Sequence, residues 1–94
     1  MEQHLSQYKI FYEVARCGNI SRAAKELYIS QPAISKAISK LEESLGIKLF
    51  SRNSRGVQLT REGAILFQHV NTAFDSIGRG ERELKRIHDS ISGT

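Results

Sequence analysis

Two helical stripes lie almost end to end in the middle of this sequence, and their spacing restricts the fold more than any other feature. Ser21-Arg22-Ala23-Ala24-Lys25-Glu26-Leu27 puts Ala23, Ala24 and Leu27 on one face of a short helix. After the break Tyr28-Ile29-Ser30, a second stripe of Ala33, Ile34, Ile38, Leu41 and Leu45 repeats at the helical period. Local signals agree. Ser21 suits an N-cap, Ser30 or Gln31 can cap the next helix, and Pro32 stands in a first turn where a missing N–H costs nothing. Gly46 closes that helix. Two helices joined by a tight turn, the second with a polar outer face, make a helix-turn-helix.

The flanks fit the same plan. Leu5, Tyr8, Phe11, Tyr12 and Ala15 mark one face of a preceding helix, which Gly18-Asn19 ends. Residues 48–52 and 57–59 read as short strands around the turn cluster Asn53-Ser54-Arg55-Gly56, which makes a wing. Thr60 caps a last helix, with Glu62 in its first turn, running to about residue 87 or beyond. Along it Leu66, Val70, Ala73, Ile77, Gly80, Leu84, Ile87 and Ile91 alternate four and three apart, a heptad seam that implies self-association. The other reading is that the seam packs only on its own head. Gly78 and Gly80 each cost about 1 kcal/mol in a helix interior, so a bend or fray is expected there.

The expected fold is therefore mostly α: a winged helix-turn-helix of three helices and a two-stranded wing over residues 1–60. A dimerisation helix over 61–91 and a disordered end at 92–94 complete it.

With 94 residues there is room for one small domain. Cys17 is the lone cysteine, so no internal disulfide is possible, and it reads as a small buried hydrophobe. No apolar run is long enough for a membrane helix, and Met1 leads into Glu2, Gln3 and His4 rather than a signal peptide; a cytoplasmic protein is expected. The net charge of +4 is unevenly placed: residues 1–60 hold nine Lys/Arg against five Asp/Glu, residues 61–94 five against five. A basic head with a neutral tail suits a polyanion partner. His4, His69 and His88 are scattered, with no nucleophile, paired carboxylates or metal-ligand spacing near them, so neither enzyme, metal nor cofactor is expected.

The outer face of the second stripe holds Gln31, Ser35, Lys36, Ser39 and Lys40. A helix entering a DNA major groove about 12 Å wide needs such short or extended polar side chains. Gln31 can bond adenine, Ser35 a base edge or phosphate, and Lys36 guanine or phosphate, while Ala33 can admit a thymine methyl. Arg52 and Arg55 flank the wing turn and can reach the backbone or the minor groove. Lys40 and Lys48 are either further phosphate contacts or solvated charges.

Several of these stretches together resemble the LysR-type transcriptional regulators. They are Phe11-Tyr12-Glu13-Val14-Ala15, Asn19-Ile20-Ser21-Arg22-Ala23-Ala24 and Ile29-Ser30-Gln31-Pro32-Ala33-Ile34-Ser35-Lys36, then Leu41-Glu42-Glu43-Ser44-Leu45-Gly46 and Leu59-Thr60-Arg61-Glu62-Gly63. The resemblance covers essentially the whole chain. It implies sequence-specific binding of double-stranded DNA, as a homodimer on an interrupted inverted repeat, with the long linker helices paired antiparallel. By carry-over, Gln31, Pro32, Ser35 and Lys36 meet the major groove, Ser21 and Arg22 the phosphates, and Arg52 and Arg55 serve the wing. Leu66, Val70, Ala73, Ile77 and Leu84 are the expected dimer contacts. Three departures stand out. Lys36 replaces the commoner arginine and loses its bidentate geometry. Gly78 and Gly80 interrupt the linker. The sequence also stops where the family's hinge to a small-molecule effector domain would begin, so a shortened form of a longer protein is expected, the other reading being a naturally short one. The competing class is a helical protein-interaction module, which explains the heptads but leaves the Gln31–Lys36 face and the wing arginines without a use.

Overall fold

The first helix, α1 (Leu5–Cys17), stops where Gly18 takes a φ of 66° and bonds its N–H to the Val14 carbonyl at 2.8 Å. The second, α2 (Ile20–Leu27), begins at once because Asn19 caps it, its Oδ1 accepting from the Arg22 N–H at 2.9 Å. Ser21, the expected cap, lies inside the first turn. Asn19 is extended (φ −157°, ψ 123°) directly after the glycine, so helical geometry already starts at Ile20.

Left-handed Tyr28 ends α2, and Ser30 opens α3 (Gln31–Leu45) by accepting from the Ala33 N–H at 3.2 Å. Pro32 sits in the first turn and Gly46, at φ 72°, closes the helix as expected. The wing is an antiparallel pair, β1 (Phe50–Asn53) and β2 (Gly56–Leu59), with Phe50 opposite Leu59 and Asn53 opposite Gly56. Lys48 and Leu49, expected in the first strand, precede it. Their backbone groups bond elsewhere: the Leu49 N–H to the Glu42 side chain, and the Lys48 and Leu49 carbonyls to Thr60. Thr60 then caps α4 (Arg61–Ile91), its Oγ1 accepting from the Gly63 N–H at 3.0 Å.

The computed structural model describes residues 5–91, so His4 and the expected disordered end at 92–94 lie outside the described residues. Among those described, no helix is long and apolar enough to cross a membrane.

Two apolar clusters hold the head. Val14, Ala23, Ala24, Ile34, Ile38 and Val57 join α1, α2, α3 and the wing, with half-buried Cys17 at the edge. The adjacent alanines are buried, which lets helices approach closely. Phe11, Leu41, Leu49 and Val70 form the second cluster, bordered by Leu66, Phe67 and Phe74 of α4. Aromatic rings tie α1 to the wing and to α4: Phe11 meets Phe50 at 5.4 Å, and Tyr12 stacks on Phe67 at 5.7 Å. Such pairs add about 0.5–1.5 kcal/mol each beyond the area they bury. Lower on α1, the Glu13 hydrogen bond at 3.0 Å, and then its charge, raise the Arg16 guanidinium pKa above its ordinary value.

Two members of the α3 stripe are not inward. Ala33 is exposed on the outer side, and Leu45, at the helix end, is 41% exposed in an open apolar groove with Ile47 and Ile65. Ile34, Ile38 and Leu41 form the buried stripe. The helix α4 runs through Gly78 and Gly80 without a break, so the expected fray is absent. At about 1.5 Å per residue it is about 46 Å long, most of the molecule's 54 Å long axis.

Candidate nucleic-acid interface

Ile34 and Ile38 are buried, which fixes the rotation of α3 and turns the intervening positions outward. Gln31, Pro32, Ala33, Lys36 and Lys40 are exposed on that face, and Ser35 is half-buried at its margin. The face starts at a well-made N-terminus, with Ser30 as cap and Pro32 fixing the first turn. Ser21 and Arg22 are exposed on the first turn of α2. An open groove of about 510 Å³ brings Ser21, Lys25, Tyr28, Ser30 and Gln31 to one surface, so two of the sequence candidates from different helices meet there.

The wing is anchored at both ends. Its tip is set by Asn53, whose Oδ1 accepts from the Arg55 N–H at 2.8 Å. Behind the tip, the Val57 N–H donates to the Gly18 carbonyl at 3.4 Å. At Gly56, which has φ 132°, a side chain would come within 2.7 Å of that same carbonyl oxygen. The wing thus sits directly on the α1–α2 corner, and its glycine is required by space and by backbone. At its root, Glu42 of α3 takes the Leu49 and Phe50 N–H groups on one carboxylate oxygen, at 2.7 and 3.2 Å. Arg52 and Arg55 are left exposed.

The head's cations are unevenly committed. Lys48, itself exposed, lies 3.7 Å from the largely buried carboxylate of Glu42. Among the described residues Arg22, Lys36, Lys40, Arg52 and Arg55 make no ion pair within the chain, and their charge is open to an anionic partner.

The five expected dimer positions divide. Val70 is 7% exposed inside the second core cluster and Leu66 is half-buried at its edge, whereas Ala73, Ile77 and Leu84 are on the surface. The seam is therefore divided: its first turns pack on the head, and Ala73, Ile77 and Leu84 are not covered by it. His69 and His88 lie on exposed faces of α4, and no group of His, Cys, Asp or Glu among the described residues is arranged to hold a metal.

Three residues that shape this surface have no role that the sequence pattern assigns: Asn19, Glu42 and Tyr28. Asn19 does carry a signal, an Asn directly after a helix-ending Gly. The Glu42 contacts span seven and eight residues across a bend, and no periodicity reports them.

The comparisons converge. Residues 5–64 match the model of the bacterial regulatory helix-turn-helix proteins of the lysR family. The chain is 37% identical, over 99% of its length, to the RuBisCO operon transcriptional regulator of Allochromatium vinosum, and covers 30% of that protein. It is 45% identical, over 83% of its length, to the probable cat1 operon transcriptional activator of Acinetobacter lwoffii, and covers 25% of it. The chain thus spans less than a third of the length of these relatives. Among solved structures it resembles BenM_DBD in its complex with catB site 1 DNA, at TM-score 0.81 and 34% identity, covering 92% of this chain and 97% of that one. It likewise resembles CbnR_DBD in a DNA complex, at TM-score 0.77 and 32% identity over 92% of this chain and 99% of that one. With its winged helix-turn-helix and these matches across nearly its whole length, the chain belongs to the lysR family of bacterial regulatory helix-turn-helix proteins.

Proposed function

We propose that this chain is the operator-reading part of a transcriptional regulator and binds double-stranded DNA sequence-specifically. In this reading α3 enters the major groove, where Gln31, Pro32, Ala33, Ser35 and Lys36 face the bases. Ser21, Arg22 and Lys40 lie along the phosphates, and Arg52 and Arg55 reach the adjacent backbone or minor groove. The observation that carries it is the exposed polar face of α3, held rigid by buried Ile34 and Ile38 and flanked by cations that form no ion pair among the described residues. The DNA complexes of BenM_DBD and CbnR_DBD support it by likeness.

The uncovered part of α4 supports a homodimer, through Ala73, Ile77 and Leu84, that sets two recognition helices on an interrupted inverted repeat. Leu66 and Val70 act behind that contact by seating α4 on the head. A small-molecule effector acts only through a domain outside this chain, and the site of action is the bacterial cytoplasm, at the nucleoid. Among the described residues, no cluster of His, Cys, Asp or Glu that could hold a metal supports an enzymatic reading.

The test is retention of the protein by a random duplex pool across a salt series. Steep loss of affinity with rising salt is expected, since each phosphate neutralised releases counterions. Absence of binding at low salt sinks the reading.

A further inference from the structure

Folding alone gives Tyr28 no reason to be a tyrosine. It ends α2 with φ 59° and ψ 40°, a left-handed conformation in which a Cβ is unfavourable and glycine or asparagine is preferred. The ends of α1 and α3 take the same conformation, and there the chain has Gly18 and Gly46. The Tyr28 N–H already reaches the Ala24 and Lys25 carbonyls, so the cap asks nothing of the side chain. The ring is 93% exposed, and its hydroxyl bonds no other described residue. A bulky group is thus held in an unfavourable backbone conformation without packing or hydrogen bonding in return. Such outliers point toward function.

Position says which function. Tyr28 lines the same groove as Ser21, Lys25, Ser30 and Gln31, beside the N-terminus of α3. We propose that Tyr28 is a DNA-backbone contact: its hydroxyl donates to a phosphate oxygen at the rim of the groove that α3 enters, with the ring against the adjoining sugar. This rests on the DNA-binding reading above. Tyrosine suits the task because it offers a rigid apolar body and a donor at its tip. Being neutral, it releases no counterion, which separates it from the wing arginines.

The experiment compares Tyr28→Phe and Tyr28→Gly with the unmodified protein. Binding is measured at several salt concentrations to a duplex selected from a random pool and to an unrelated duplex, alongside thermal melting. Tyr28→Phe should lose about tenfold in affinity on both duplexes, as for a hydrogen bond to a charged group, with the slope against salt unchanged. Tyr28→Gly should lose at least as much and melt no lower than the unmodified protein, because strain is removed. Unchanged binding by Tyr28→Phe overturns the proposal, and so does a lower melting temperature for Tyr28→Gly, which would make the ring a support of the turn. If the unmodified protein binds neither duplex, the DNA-binding reading itself fails.

Discussion

The carboxylate of Glu42 accepts the backbone N–H of Leu49 at 2.7 Å, seven residues further along the chain and past a helix end. Its own carbonyl accepts the Gly46 and Ile47 N–H groups at 2.8 and 3.2 Å. One residue therefore both closes α3 and fixes the direction in which the wing leaves it. The angle between α3 and the wing arginines depends on a side chain of α3 that bonds to neither arginine.

Glu42→Ala should destabilise the fold by about 2–4 kcal/mol, since charge-assisted hydrogen bonds contribute about 1.5–3 kcal/mol and two part-buried N–H groups would be without their acceptor. Glu42→Gln keeps one acceptor oxygen and should lose roughly half as much. Urea unfolding of the two variants checks this. Equal midpoints for Glu42→Ala and the unmodified protein would remove the clamp.

At Gly63, α4 passes close against the wing root. A side chain there would overlap the Leu49 carbonyl oxygen and come within 3.0 Å of Leu59 Cδ2. Gly63→Ala should thus cost about 1–3 kcal/mol, the range for overpacking, although alanine is the better helix former. Gly80→Ala, with open space around it, should instead stabilise by up to about 1 kcal/mol. Melting temperatures of the pair should move in opposite directions.

The two kinds of interface residue should fail differently. Replacing Arg52 or Arg55 with alanine weakens binding to all duplexes alike and lowers the salt slope by about one for each phosphate that is no longer neutralised. Gln31→Ala relaxes preference at particular base positions by about 1–3 kcal/mol and leaves the slope alone. Selection from a random pool with each variant distinguishes them; an unaltered site preference for Gln31→Ala would refute its role.

On α4, Ile77→Glu and Leu84→Glu should halve the sedimenting mass without changing the melting behaviour of the head. Val70→Glu should instead unfold it, because Val70 is packed against Phe11, Leu41 and Leu49. Identical behaviour of Ile77→Glu and Val70→Glu would show that the seam is not divided.

That division explains how far the amino-acid pattern reaches. Ser30, Pro32, Gly46 and Thr60 were legible because each cap is a contact within a few residues, set by local chemistry. Ser21 is the cap that the residue pattern suggests for α2, but Asn19, extended directly after Gly18, takes that place because helical geometry already starts at Ile20. Heptad spacing showed that Val70 and Ile77 share a face but not what covers that face. Leu45 was misplaced for the same reason: period marks a side of a helix, and only packing says how far along the helix that side is covered. The interface candidates Gln31, Lys36, Arg52 and Arg55 were legible as a pattern, whereas their supports, Glu42 and the Gly18–Gly56 approach, required the folded chain.

The bare outer half of α4 has a consequence for how the protein behaves on dilution. Ile77, Leu84 and Ile87 are 50%, 70% and 55% exposed, so the last four turns gain little apolar burial from the head. Isolated helices of that length are marginal in water. The far end of the rod should therefore melt when copies part and re-form when they meet. In the proposed dimer, at high concentration, the molecule would be a stiff strut holding two heads at a set distance. At low concentration it would be a folded head trailing a loose thread, with its ruler lost before its grip.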